Sequence, residues 1–248
     1  MRFVDGGSTS VHPDDLRLNI ADTPDIFTHF RNQVEGLTTM IRDLELIPEA
    51  QQFPPFPSEA LQFRESEEQI SMTDLIDLND DRSLNGVSAV PFHGGESSAL
   101  QRVQSYFSSR AVEWYKTTRN GLIGTEYSTK FSAFLGHGNI SSRHIYYLLE
   151  HEEKYMNGRA SKDTYWVAFE LLWRDFWKFL VRKTKNQIFY LEGRNHGSHA
   201  YKSNKWPTNL EVFQKWQDSI TGIPFIDANM REIAATGYSL PTHRAEGT

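Results

Sequence analysis

The apolar positions fall into blocks of different period. Ile26, Phe27, Phe30 and Val34 recur at helical spacing behind Thr23 and Pro24, which predicts a capped helix over about residues 24–36. The first twenty residues are polar, with Gly6-Gly7 and Pro13, and read as the end of a strand followed by a loop. From about 47 to 96 the periodicity fails. Pro48, Pro54, Pro55 and Pro57 forbid a regular helix there, and the acidic runs at 65–68 and 77–82 have few apolar anchors, so this stretch reads as a linker or long wrapping loop. Helical spacing returns after Gly95. Ser97 or Ser98 can cap a helix carrying Leu100, Val103, Tyr106 and Phe107 and, further on, Val112 and Tyr115. Ser141 or Ser142 opens another through Ile145, Leu148 and Leu149. Asp163 can cap a long one from Tyr165 to about Lys183, Pro224 suits the first turn of a further helix, and Gly237 suits its stop. Period-two alternation is scarce beyond residue 100 and there is no internal repeat. The predicted fold class is mainly α.

Composition narrows the chemistry. At 248 residues the chain can bury a sizeable core, and its 38% hydrophobic and 13% aromatic content excludes a disordered, collagen-like or coiled-coil chain. The absence of Cys excludes disulfides, thiolate nucleophiles, zinc fingers and iron–sulfur clusters. No apolar run approaches a membrane span, and the first fifteen residues do not read as a secretory signal. The net charge of −6 conceals an asymmetry: residues 1–100 hold 6 Lys+Arg against 18 Asp+Glu, and residues 101–248 hold 20 against 14. The second part suits a phosphate-bearing partner and the first would repel it, although surfaces also differ in sign by chance.

Three stretches carry candidate chemistry. In 125–132 (TEYSTKFS), Thr125, Tyr127, Ser128, Thr129 and Ser132 set hydroxyls beside Lys130, a combination that suits a diphosphate or, equally, an ordinary Ser/Thr-rich helix entry. It has neither a Rossmann nor a P-loop glycine pattern. In 166–180, Trp166, Phe169, Leu172, Phe176, Phe179 and Leu180 form the expected core face, while Glu170, Trp173, Arg174 and Trp177 fall on one strip at i, i+3, i+4 and i+7. Such a strip can stack a flat ring and hold an anion, or it can be a solvated ion pair with buried Trp. In 221–237, Asp227, Met230 and Arg231 share a face, either as a site or as a surface ion pair. The nine His form no HExxH or HxxxH pair, so no metal site is expected.

Taken together, these stretches resemble the photolyase/cryptochrome family, most closely its DASH branch. The resembling residues are 24–35 (PDIFTHFRNQVE), 89–100 (AVPFHGGESSAL), 115–143 (YKTTRNGLIGTEYSTKFSAFLGHGNISSR), 165–179 (YWVAFELLWRDFWKF), TGIPFIDANMRE and the ATGY at 235–238, in family order and spacing. The resemblance implies a partial helical FAD-binding domain, preceded by a remnant of an α/β antenna domain at 1–40 and the linker at 41–96, with the helical part at 97–238 and a tail outside the family pattern at 239–248. It implies that Tyr115, Ser128, Thr129, Lys130, Phe131, Ser132 and Arg174 contact FAD. Glu170 and Trp173 would meet a flipped pyrimidine dimer, with Trp177 and Arg231 also on the DNA side, and Trp206 would be the outermost Trp of an electron-transfer chain. The implied activity is blue-light-driven repair of cyclobutane pyrimidine dimers in single-stranded or damaged DNA, or blue-light photoreception, by a monomer with no membrane partner. Most of the antenna domain and the C-terminal part of the FAD domain are expected to be missing, no antenna folate is expected, and the chain alone is expected not to repair dimers. The competing expectations are a non-catalytic fragment and a helical single-stranded nucleic-acid-binding module without FAD.

Overall fold

The structure is a computed structural model and describes residues 9–16, 18–35, 41–44, 49, 54–55, 93–121, 125–155, 162–190, 193 and 209–237. Among these there is no strand. The α-helices are α1 (Phe27–Glu35), α2 (Glu96–Ser108), α3 (Tyr115–Thr118), α4 (Ser132–His137), α5 (Ser142–Tyr155), α6 (Tyr165–Thr184), α7 (Leu210–Gln217) and α8 (Pro224–Thr236). The expected strand end near the N-terminus and nearly all of the expected linker lie outside the described residues.

The central element is α6, whose 20 residues extend for about 30 Å at 1.5 Å per residue. It is apolar on two sides. Val167 and Leu171 join Val103, Tyr106 and Phe107 of α2, Phe134 and Leu135 of α4 and Ile145 and Leu149 of α5 in one cluster. Leu172, Phe176, Phe179 and Leu180 form a second cluster with Val11, Leu16 and the Phe27, Phe30 and Val34 face of α1. Phe30 and Phe179 are fully buried, with ring centroids 5.9 Å apart. This two-sided burial differs from the expected single core face: Trp166 and Phe169 are only partly covered, whereas Val167 and Leu171 are buried.

A further polar group lies inside. Asp175 is completely buried, and its carboxylate accepts from the Ser10 amide at 3.1 and 2.9 Å and from the Val11 amide at 3.1 Å. It thereby ties the N-terminal segment to α6. Burial raises its pKa to about 6, against the opposing pull of those amides and of Arg174.

Local signals explain most boundaries. Pro224 occupies the first turn of α8, and Gly237 ends it in the left-handed region at φ 67°. The helix expected to run from 97 past Val112 to Tyr115 is instead broken after Ser108. Arg110 turns left-handed at φ 61°, and a 3₁₀ turn at 111–114 leads into α3. The break lets Val112 and Tyr115 enter the same cluster as Val103. Leu100, expected in the core, is 40% exposed, and Ala99 takes the buried position.

Candidate functional site

The loop at 125–130 is organised from α2. Arg102 directs Nε to the Thr129 carbonyl at 3.0 Å, Nη2 to the carbonyls of Thr125 at 3.0 Å and Ser128 at 3.1 Å, and Nη1 to Glu126 Oε1 at 2.7 Å. The carbonyls of this loop are therefore consumed on one side. Among the described residues, the amides and hydroxyls of Ser128 and Thr129 donate to no protein acceptor. Lys130 is 2% exposed and left-handed at φ 58°. Its ammonium donates to Tyr127 Oη and lies 3.6 Å from that ring's centroid. Burial lowers its pKa to about 8, Arg102 pushes the same way, and Glu232 of α8 opposes. Carbonyls turned away, hydroxyls and amides left over, and two cations close by form a donor set that fits a diphosphate. Ser132 opens α4 beside this loop. Phe131 and Tyr115, also expected near a cofactor, have their rings in the first cluster, Phe131 edge-on to Tyr106 at 5.8 Å. Gly121 backs the loop: a Cβ there would lie 2.8 Å from Tyr127 Cβ.

The strip on α6 is divided by its neighbours. Glu170 receives a hydrogen bond from Arg119 Nη1, and the Arg119 guanidinium lies 4.5 Å from the Trp166 ring, which Lys116 also approaches at 5.0 Å. Trp173 stacks on Phe27 of α1 at 3.7 Å and 12°, and lies 6.3 Å from Trp177. Its Nε1 is buried with no hydrogen-bond partner among the described residues. Arg174 turns the other way, to the Leu135 carbonyl of α4 at 3.3 Å, and burial lowers its pKa. Trp177 is 56% exposed. Helical spacing aligns the Cα atoms of the four, while flanking elements give their side chains different partners.

On α8, Asp227 and Arg231 do not pair as a simple surface bridge. Asp227 accepts from the Thr221 amide at 2.8 Å, the Thr221 hydroxyl at 2.6 Å and the Gly222 amide at 3.1 Å, and these bonds hold its pKa below the usual carboxylate range. Arg231 donates to the Ser219 carbonyl at 3.1 Å. Trp206 lies outside the described residues. No group of three or more His, Asp or Glu able to hold a metal occurs among the described residues, and no described helix is long and apolar enough to cross a membrane.

Two residues that organise this geometry were not singled out from the sequence. Arg102 looked like any helical Arg, and Arg119 carried only its place in a family-like stretch. The signal for Arg102 would have been its partner loop, which sequence spacing does not reveal.

A helical domain with a diphosphate-type donor set defines a class, and comparison with known proteins assigns it. Residues 166–245 match the family described as the FAD binding domain of DNA photolyase. The chain belongs to the photolyase/cryptochrome family. Its relatives include cryptochrome DASH of Danio rerio, 43% identical over 94% of this chain and 42% of that protein, and cryptochrome DASH of Gloeobacter violaceus, 38% identical over 94% of this chain and 43% of that protein. The crystal structure of a Synechocystis cryptochrome superposes with a TM-score of 0.70 at 35% identity, covering 95% of this chain and 46% of that one. A class III photolyase from Agrobacterium tumefaciens, at 17% identity and TM-score 0.61, shares the fold. The chain spans about two fifths of the length of the curated relatives it matches.

Proposed function

We propose that this chain forms part of the FAD-binding cavity of a DASH-type flavoprotein, which uses blue light to split cyclobutane pyrimidine dimers in single-stranded DNA or to sense light. The observation that carries the reading is the loop at 125–130, whose carbonyls are held by Arg102 while the Ser128 and Thr129 donors remain available. Ser128, Thr129 and Ser132, with Lys130, would hold the FAD diphosphate, and Arg174 would lie toward the flavin. The flavin held there would supply light-driven electron transfer. The protein's own part is position and electrostatics. Arg119 orients Glu170 as a hydrogen-bond acceptor for a base, Trp173 would present its indole to the same base, and Trp177 offers an exposed ring for stacking. Arg231 and Trp206 would serve the DNA side and the electron relay.

The proposed organisation keeps 1–40 as the remnant of an α/β domain, 41–96 as a linker, 97–238 as the helical FAD domain and 239–248 as a tail. By itself the chain is proposed to bind FAD weakly and not to repair dimers. Absorption between about 350 and 500 nm, recorded while FAD is titrated into the purified chain without desalting, tests the cofactor reading. A saturable shift and fine structure in the flavin bands support it, and bands identical to those of free FAD sink it. Loss of dimers under blue light with this chain alone would overturn the inactivity. The exposed Trp177 favours one second reading, a flavin-free module that stacks single-stranded nucleic acid. Salt-sensitive binding of an oligonucleotide by flavin-free protein would support that reading instead.

A further inference from the structure

We infer that Arg102 is the positioning residue of the phosphate loop, and that its planar fork, rather than its charge, makes the loop an anion receptor. This rests on the cofactor reading above and extends it to a residue outside the loop. The Arg102 side chain is 15% exposed and spends its donors on three carbonyls and one carboxylate spread over 125–129. A loop of this kind can turn either its carbonyls or its amides outward. A guanidinium that gathers the carbonyls of residues 125, 128 and 129 from one direction selects the second arrangement. Glu126, on the same fork, offsets part of the Arg102 charge, and a lysine at this position would keep a charge while losing the fork. The guanidinium also lies over the Tyr106 ring at 5.3 Å, which fixes its plane against the buried face of α2.

The variant that separates fork from charge is Arg102→Lys. One ammonium cannot reach three carbonyls and a carboxylate at once. In the full chain without ligand, trypsin should cut after the buried Lys130 about tenfold faster in R102K than in the unmutated chain, while cutting after Lys178 in α6 stays within about twofold. With ligands, FAD and ADP should each bind about tenfold more weakly, while riboflavin, which carries no phosphate, shifts by less than about twofold. Unchanged cleavage after Lys130 would overturn the positioning role. Equal weakening of FAD, ADP and riboflavin would also overturn it, because Arg102 would then support the domain rather than the phosphate loop. Full FAD affinity in R102K would show that charge suffices and overturn the fork. An unmutated chain that binds neither FAD nor ADP would instead overturn the cofactor reading and the phosphate role together, with the cleavage arm still reporting whether Arg102 holds the loop.

Discussion

Two loops of this chain are each fixed by charged side chains, with opposite results. At 125–130 a guanidinium collects carbonyls and leaves donors over. At 219–222 a carboxylate collects amides and a guanidinium collects a carbonyl, so Asp227 and Arg231 between them satisfy the turn from within. The first loop is left with unused capacity for an anion and the second has none. The N-terminal segment at 10–11 follows the second pattern, its amides collected by the buried Asp175. What distinguishes a receptor from a brace is which half of the backbone polarity the anchoring charge consumes.

The largest effect should come from the buried brace. Asp175→Ala would strand two amides in an apolar setting and cost about 2–4 kcal/mol, read by urea unfolding. A loss below about 1 kcal/mol would show that segment 10–11 docks by apolar contact alone. The pH dependence has a defined sign. The folded pKa of about 6 lies above the ordinary 3.8, so the Asp175 contribution to stability is present in acid and is lost as pH rises through about 6. Asp175→Asn should remove that slope, and a slope that persists in the variant would assign it to another group.

The receptor loop should show its own titration. The Lys130 pKa of about 8 places loss of its charge just above neutrality, so FAD affinity should fall about three- to tenfold between pH 7 and 9 while riboflavin affinity stays flat. Lys130→Met should flatten the FAD profile. A profile that remains steep in the variant would remove Lys130 from the phosphate set.

Asp227→Asn sharpens the comparison from the other loop. It should loosen the first turn of α8, seen as faster amide exchange at Thr221 and Gly222, while leaving the FAD-to-riboflavin preference intact. A lost preference would mean that the two loops are not independent, with Glu232 as the obvious link. The smallest effect belongs to Trp177→Ala. At 56% exposure its removal should change stability by less than about 0.5 kcal/mol, yet weaken single-stranded DNA binding by about 1–3 kcal/mol if the ring stacks a base. Unchanged DNA affinity would confine Trp177 to an inert surface position.

Much of the fold was legible because its signals are local. Pro224, Gly237 and the apolar spacing of 165–184 act within a turn or two, and α8 and α6 follow them. The family stretches pointed to the candidate site residues the same way, as contiguous runs. What escaped the sequence depends on distant partners. Asp175 sits mid-helix, where a carboxylate ordinarily faces water, and only the amides of a segment more than 160 residues away make its burial tolerable. The break at Arg110 has no glycine to announce it. The split of Glu170, Trp173 and Arg174 among Arg119, Phe27 and Leu135 is decided by three neighbours that helical periodicity does not encode.

The two-sided burial of α6 has a mechanical consequence. The segment before residue 36 and the helices between 96 and 155 each dock on α6, with Ile41 packed against both clusters. Neither cluster can lose α6 without the other losing its floor. The helix therefore acts as a shared keel: disorder begun at Phe30 is transmitted to Val103 through one rigid body, and the two clusters should melt as one cooperative unit.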